Sequence, residues 1–180
     1  AAPIPTNNEC TEAVALTIGE PAAGTSFGAT GSDLTLCDDT SWDVWYTLTP
    51  SVDGAYRITT TLLNGIQTPG ISIFGACPAV ANTHTACRIP VVGSAQNTLE
   101  FAATAGTTYY VRTATNFSQR SEYTVLAEQV VPPCPADFNR DGGVDGDDVI
   151  GFFGAWDNNE PAGDFNRDGG VDGDDVIGFF

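Results

Sequence analysis

The chain of 180 residues has no lysine and no methionine, a single histidine, and only six basic side chains, all of them arginine. Set against 23 Asp and Glu, this leaves a formal charge of −17 and a pI of about 4.1. So little positive charge excludes attraction to nucleic-acid backbones or anionic membranes, because both carry the same sign as the protein. Long apolar runs are missing too, so no segment is a candidate membrane-spanning helix. The one histidine, His84, would have to serve any hydrolytic triad, yet Asp38, Asp39 and Asp43 lie far from it in sequence and there is no Gly-x-Ser-x-Gly elbow. A phosphate loop and a dinucleotide fingerprint are also absent. These absences together argue against an enzyme.

What is present reads as strands and turns. There are 20 Gly and 11 Pro, threonine is frequent, and 42% hydrophobic with 10% aromatic residues is too much for a disordered acidic tail. Apolar and polar side chains alternate in Tyr56-Ile58-Thr60, Ile71-Ile73, Leu99-Phe101, Tyr109-Val111 and Tyr123-Val125. Strands are expected near 13–18, 25–30, 43–49, 54–61, 70–75, 97–103, 107–114 and 122–128. Regular short strands of this kind predict a mainly β chain, a jelly-roll-type β-sandwich over residues 1–130. Trp45 and Tyr46 are neighbours on one strand, so at least one faces the core, which leaves Trp42 as the exposed ring for stacking on a sugar. Asp38, Asp39 and Asp43 read as a solvated turn, with an acid pair or a third calcium site as the alternatives.

The clearest feature is a repeat. Residues 137–153 read DFNRDGGVDGDDVIGFF and residues 164–180 read the same, with a period of 27. Val130-Val131-Pro132-Pro133-Cys134-Pro135 precedes the repeats and continues neither helix nor central strand, so 131–136 is expected to be a linker and 137–180 a second module. Twelve of the 23 acids fall in residues 134–180, which calls for a cation. As twelve-residue loops, the first copy offers Asp137, Asn139, Asp141, Gly143, Asp145 and Asp148, and the second Asp164, Asn166, Asp168, Gly170, Asp172 and Asp175. This is EF-hand spacing, with Gly142 and Gly169 at the sharp turn and the position-7 glycine giving a carbonyl. An all-oxygen set suits Ca²⁺, one ion per loop and two in all, rather than Zn²⁺. Val149, Ile150, Phe152, Phe153 and Trp156 then predict one face of a following helix.

The pattern D-x-N-x-D-G-x-V-D-x-x-D before an apolar helix, twice over, resembles a dockerin type I module across 137–180. That resemblance implies a small α-helical, EF-hand-like unit whose helix faces dock onto a partner such as a cohesin. Gly146-Asp147 and Gly173-Asp174 stand where cellulosomal dockerins carry Ser or Thr, so the partner need not be a cellulosomal cohesin. Phe152, Phe153, Phe179 and Phe180 are too many large rings for so small a core, and are the expected interaction residues.

Further upstream, Asp43-Val44-Trp45-Tyr46-Thr47-Leu48, Gly54-Ala55-Tyr56-Arg57-Ile58, Ala105-Gly106-Thr107-Thr108-Tyr109-Tyr110-Val111-Arg112 and Glu122-Tyr123-Thr124-Val125 follow an order that resembles the bacterial pre-peptidase C-terminal domain. The resemblance covers 7–128 and implies a β-sandwich in a secreted protein. Asn7-Asn8-Glu9-Cys10 and Cys77…Cys87 fit the same pattern. Four cysteines allow three pairings, of which we expect Cys10–Cys37 and Cys77–Cys87, leaving Cys134 over. The small residues Ala1-Ala2-Pro3 match what a signal peptidase leaves. Cys77, His84 and Cys87 read as a loop histidine between disulfide cysteines rather than metal ligands. Asn116-Phe117-Ser118 is a candidate glycosylation sequon.

The expectation is therefore a secreted, extracellular or cell-surface calcium-binding assembly protein with no catalytic residues. Its C-terminal module would bind a protein partner, either the next copy in a head-to-tail filament or a cohesin-like scaffold. The alternative is a glycan-binding accessory module of a larger secreted protein or enzyme.

Overall fold

In the computed structural model, residues 2–31, 42–80, 83–116, 119–130, 134–139 and 141–180 are described. The chain forms two compact units, Ala1–Val130 and Val131–Phe180. Among the described residues no helix is long and apolar enough to cross a membrane.

The first unit is a two-sheet sandwich. Its strands are β1 (Val14–Ala15), β2 (Ala22–Thr25), β3 (Trp42–Leu48), β4 (Gly54–Asn64), β5 (Gln67–Thr68), β6 (Gly70–Phe74), β7 (Ala86–Arg88), β8 (Val91–Val92), β9 (Gln96–Ala103), β10 (Tyr109–Thr115) and β11 (Glu122–Val130). One sheet has the order β1-β3-β10-β6-β7 and the other β2-β11-β4-β9, while β5 and β8 pair as a small ribbon. The long strands β3, β4, β6, β9, β10 and β11 alternate between the two sheets, and among the described residues all ladders except β1–β3 are antiparallel.

Period-2 alternation makes the core. Val44, Tyr46 and Leu48 of β3, Ile71 and Ile73 of β6, and Val111 of β10 turn inward from one sheet. Tyr56 and Ile58 of β4 with Tyr123, Val125 and Ala127 of β11 meet them from the other. β-branched and aromatic residues dominate because they pack well on a pleated, half-buried surface. Gly24 of β2 is required by close approach: a Cβ there would lie 2.3 Å from the Tyr123 ring and 2.6 Å from the Tyr46 hydroxyl. The Tyr46 hydroxyl donates to the Ala23 carbonyl at 3.0 Å, so the gap left by Gly24 is filled by two phenol rings.

The expected cysteine pairing is corrected. Cys10 bonds Cys77, which rules out both Cys10–Cys37 and Cys77–Cys87. Cys87 is itself disulfide-bonded, and Cys37 lies outside the described residues. The physical reason is sheet order. The 3-10 turn Cys10–Glu12 packs against β3, and Asn7 bonds Trp45 through both backbone and side chain. This puts the N-terminal segment on the five-stranded sheet, which also carries β6, and Cys77 lies in the loop that follows β6.

In the second unit, each repeat loop leads into a helix: α1 (Gly146–Asp157) and α2 (Gly173–Phe179). Asp145 and Asp172 cap them, each in a reciprocal capping box with Asp148 or Asp175 at the third helical position. The core is aromatic. Phe152 and Phe179 stack face to face, 4.3 Å apart and 6° from parallel. Phe138 and Phe165, each the second residue of its loop, set their edges against both rings. Gly163 lets the connecting turn reach the α1 backbone, since a Cβ would lie 2.8 Å from the Trp156 Cα.

Candidate functional site

The two loops repeat one hydrogen-bond frame. In the first, the Asp137 carboxylate accepts from the Asp141 and Gly142 N–H groups at 3.1 Å each. Asn139 Oδ1 accepts from the Asp141 N–H at 2.8 Å, and Asp141 Oδ1 accepts from the Gly143 N–H at 3.0 Å. Asp148 closes the loop: its two oxygens accept from the Asn139 and Asp145 N–H groups at 3.0 and 2.9 Å. The second loop makes the same bonds from Asp164, Asn166, Asp168 and Asp175, at 2.8 to 3.1 Å. Gly142 and Gly169 each take φ +95°, the left-handed turn the spacing demanded.

Asp148 and Asp175 are buried, and both carboxyls are held below the usual carboxylate range by backbone N–H groups, chiefly of Asn139 and then Asp145 for the first, of Asp172 and then Asn166 for the second. The donors of each loop are all oxygen, as a hard divalent cation requires. Even so, no three His, Cys, Asp or Glu side chains converge as a metal-holding group among the described residues. The carboxylates accept hydrogen bonds from the loop's own N–H groups.

Of the four phenylalanines expected to meet a partner, Phe152 and Phe179 are removed from that role by burial in the aromatic core. Phe153 is half-buried between Phe152 and Trp156, and Phe180 is 79% exposed. Ile150, expected on the packed helix face, is 71% exposed, as is its counterpart Ile177 at 75%. The helix buries a narrower stripe than the sequence suggested, because the facing element is only two turns long.

On the sandwich, Trp45 and Tyr46 are both buried, on opposite sides of β3. The outer side of the five-stranded sheet is covered: Asp43, Trp45, Ser72, Phe74 and Arg112 are all buried there. Asp43 forms a buried ion pair with Arg112, so it belongs neither to a solvated turn nor to an acid pair, and Asp38 and Asp39 lie outside the described residues. Trp42 is not a free stacking ring, because the Arg120 guanidinium sits 4.0 Å over it. His84 stands edge-on to Phe74 at 6.3 Å. Cys134 is a free, exposed thiol. Asn116 is half-buried and takes the Gln67 side-chain oxygen on its backbone N–H at 2.9 Å. The linker expected at 131–136 falls partly on residues outside the described set.

Tyr46 is pushed up to about 12 by burial, against a side-chain hydrogen bond with Asn7 that lowers it. Tyr123 is raised well above its ordinary value by burial, with Thr113 sharing its hydroxyl at 2.8 Å.

Three solved structures are similar to parts of the chain. The pre-peptidase C-terminal domain of a Bacillus anthracis collagenase is 13% identical, covers 64% of this chain and 94% of its own, and has a TM-score of 0.45. An Aeromonas hydrophila periplasmic inhibitor of g-type lysozyme is 12% identical over 64% of this chain and 94% of its own, with a TM-score of 0.38. A Podospora anserina β-(1,4)-mannanase is 12% identical over 84% of this chain and 34% of its own, with a TM-score of 0.31. No curated protein matches the chain. Residues 6–126 match a T9SS-associated family described as galactose binding domain-like, and the repeat loops lie outside that match. The family's T9SS association suggests a secreted or surface protein. By that match, which spans most of the sandwich, the chain belongs to the galactose binding domain-like family.

Proposed function

We propose that this chain is a secreted, non-catalytic accessory module whose sandwich binds a glycan. The observation that carries this reading is membership of residues 6–126 in a galactose binding domain-like, T9SS-associated family. Electrophoresis of the whole chain through gels containing soluble galactan, mannan or xylan tests it. Retardation in at least one of these gels is expected, and unchanged mobility in all of them overturns the reading.

Within the same reading, the C-terminal unit holds two Ca²⁺. Asp137, Asn139, Asp141, the Gly143 carbonyl, Asp145 and Asp148 are the ligand set of one loop, and Asp164, Asn166, Asp168, the Gly170 carbonyl, Asp172 and Asp175 of the other. Support comes from the identical frame of the two loops and from donor chemistry that is oxygen throughout. The ions would offset four of the surplus negative charges and tie a unit too small to rely on its core alone. Calorimetric titration with Ca²⁺ is expected to count two sites, with Asp141→Ala and Asp168→Ala each losing one. A circular dichroism spectrum indifferent to chelator would refute it.

A second reading, assembly through the C-terminal unit with a further copy or a cohesin-like scaffold, is favoured by the exposed Ile150, Ile177 and Phe180. Light scattering in Ca²⁺ separates the two: a persistent monomer at high concentration removes the filament.

A further inference from the structure

The two outer faces of the sandwich are unlike. One is covered, as described above. The other, on the β2-β11-β4-β9 sheet, is open and polar, and its ladder registers align its side chains in rows. Thr124, Thr61 and Gln96 form one row across β11, β4 and β9, and Thr59 and Thr98 lie side by side in the next, beside Leu126. All are half-buried or exposed. The Gln96 amide donates to the Thr61 hydroxyl at 3.1 Å, while the hydroxyls of Thr59, Thr98 and Thr124 have no partner among the described residues.

Charge singles out the same rows. In a chain of net charge −17, these two rows carry none. The third row places Arg57 between Glu128 and Glu100, and Arg57 pairs with Glu100 at 2.6 Å. The rows stand on neighbouring strands about 4.8 Å apart. Each hydroxyl both donates and accepts, and so matches a ligand that is itself made of hydroxyls. An anionic ligand would meet the repulsion of the whole molecule, and an apolar one would strand the threonine hydroxyls without water.

We propose that the open face of the four-stranded sheet is where the glycan lies, and that the glycan is a neutral polysaccharide held by the hydroxyl rows rather than by aromatic stacking. This rests on the glycan-binding reading above. No aromatic side chain stands in these rows, and of the sandwich's two tryptophans Trp45 is buried and Trp42 is capped by Arg120.

The test uses the whole chain and insoluble galactan, mannan and xylan, with polygalacturonate as the anionic counterpart. The triple variant Thr59→Val, Thr98→Val and Thr124→Val keeps shape and strand preference while removing three hydroxyls, and Thr107→Val, in the turn before β10, is the control. Wild type and control are expected to be retained on a neutral polymer and not on polygalacturonate, with the triple variant at least tenfold weaker and an unchanged melting curve. If wild type binds a neutral polymer and the triple variant binds it as well, the face is wrong and the glycan reading stands. Retention on polygalacturonate alone overturns the neutral class, and retention on no polymer overturns both. Should the triple variant melt early, Thr98→Asn, which replaces the hydroxyl by a larger amide at the exposed sheet edge, gives the same comparison.

Discussion

Gly24 shows how narrow the tolerance is at single positions. Its missing Cβ is occupied by the Tyr123 and Tyr46 side chains, so Gly24→Ala must push two buried rings aside. We expect a loss of about 1–3 kcal/mol, read as a lower melting temperature of the sandwich. The same two tyrosines set its alkaline limit. Both are raised above the ordinary value near 10, Tyr46 to about 12, so folding favours their neutral form. Their contribution is complete below pH 10 and is lost as the pH climbs towards 12, because the unfolded chain ionises first. A tyrosinate absorbance titration should show late ionisation of these two phenols, the sandwich melting progressively earlier over that interval.

At the level of elements, the helix starts depend on acids in the opposite sense. Asp148 and Asp175 are lowered below their ordinary value by backbone N–H groups, so their contribution is present above the usual carboxylate range and disappears as the pH falls through the lowered values. Asp148→Asn turns a donor amide towards N–H groups that need an acceptor. The expected result is a weaker helix signal at neutral pH and a flatter acid limb in circular dichroism. The long strands were legible because alternation such as Tyr56-Ile58-Thr60 spans several residues, and the repeat loops because one Asp-x-Asn-x-Asp-Gly spacing recurs in both copies. β5, β7 and β8 were not, since two or three residues carry no period. The strand expected at 25–30 is instead β2 at Ala22–Thr25, which meets the expected span only at Thr25, because Gly24, a poor strand former, is placed there by the space two tyrosines leave. The alternation at Trp45-Tyr46 was legible, but not the cover over the outer side of β3. The open hydroxyl face was hidden for a related reason: Thr59, Thr98 and Thr124 come from three strands and become neighbours only through register.

For the molecule as a whole, the Cys10–Cys77 bond joins residues 67 apart and fastens the N-terminal segment to the sandwich. Pairing of this kind depends on which loops the sheet order brings together, and spacing could not reveal it. By the chain-entropy account a loop of that length contributes about 4 kcal/mol. Replacing both cysteines with serine is expected to lower the sandwich melting temperature by about 15 °C and leave the helix signal of Val131–Phe180 unchanged, since that unit has a separate aromatic core. A common loss of both signals would show that the two units melt as one.

The stack of Phe152 on Phe179 has one more consequence. The residues on its two sides are the same letters, down to the flanking Phe138 and Phe165. The ring stack itself therefore cannot distinguish a partner half within the chain from one supplied by another molecule, and it is Trp156, whose indole N–H donates to the Asp172 carbonyl at 2.7 Å, that marks copy one from copy two. Only the short tether of residues 158–163 keeps the pairing in-house. If it opened, any neighbouring molecule would present an interchangeable mate, and the exchanged pair would rebuild the same ring stack.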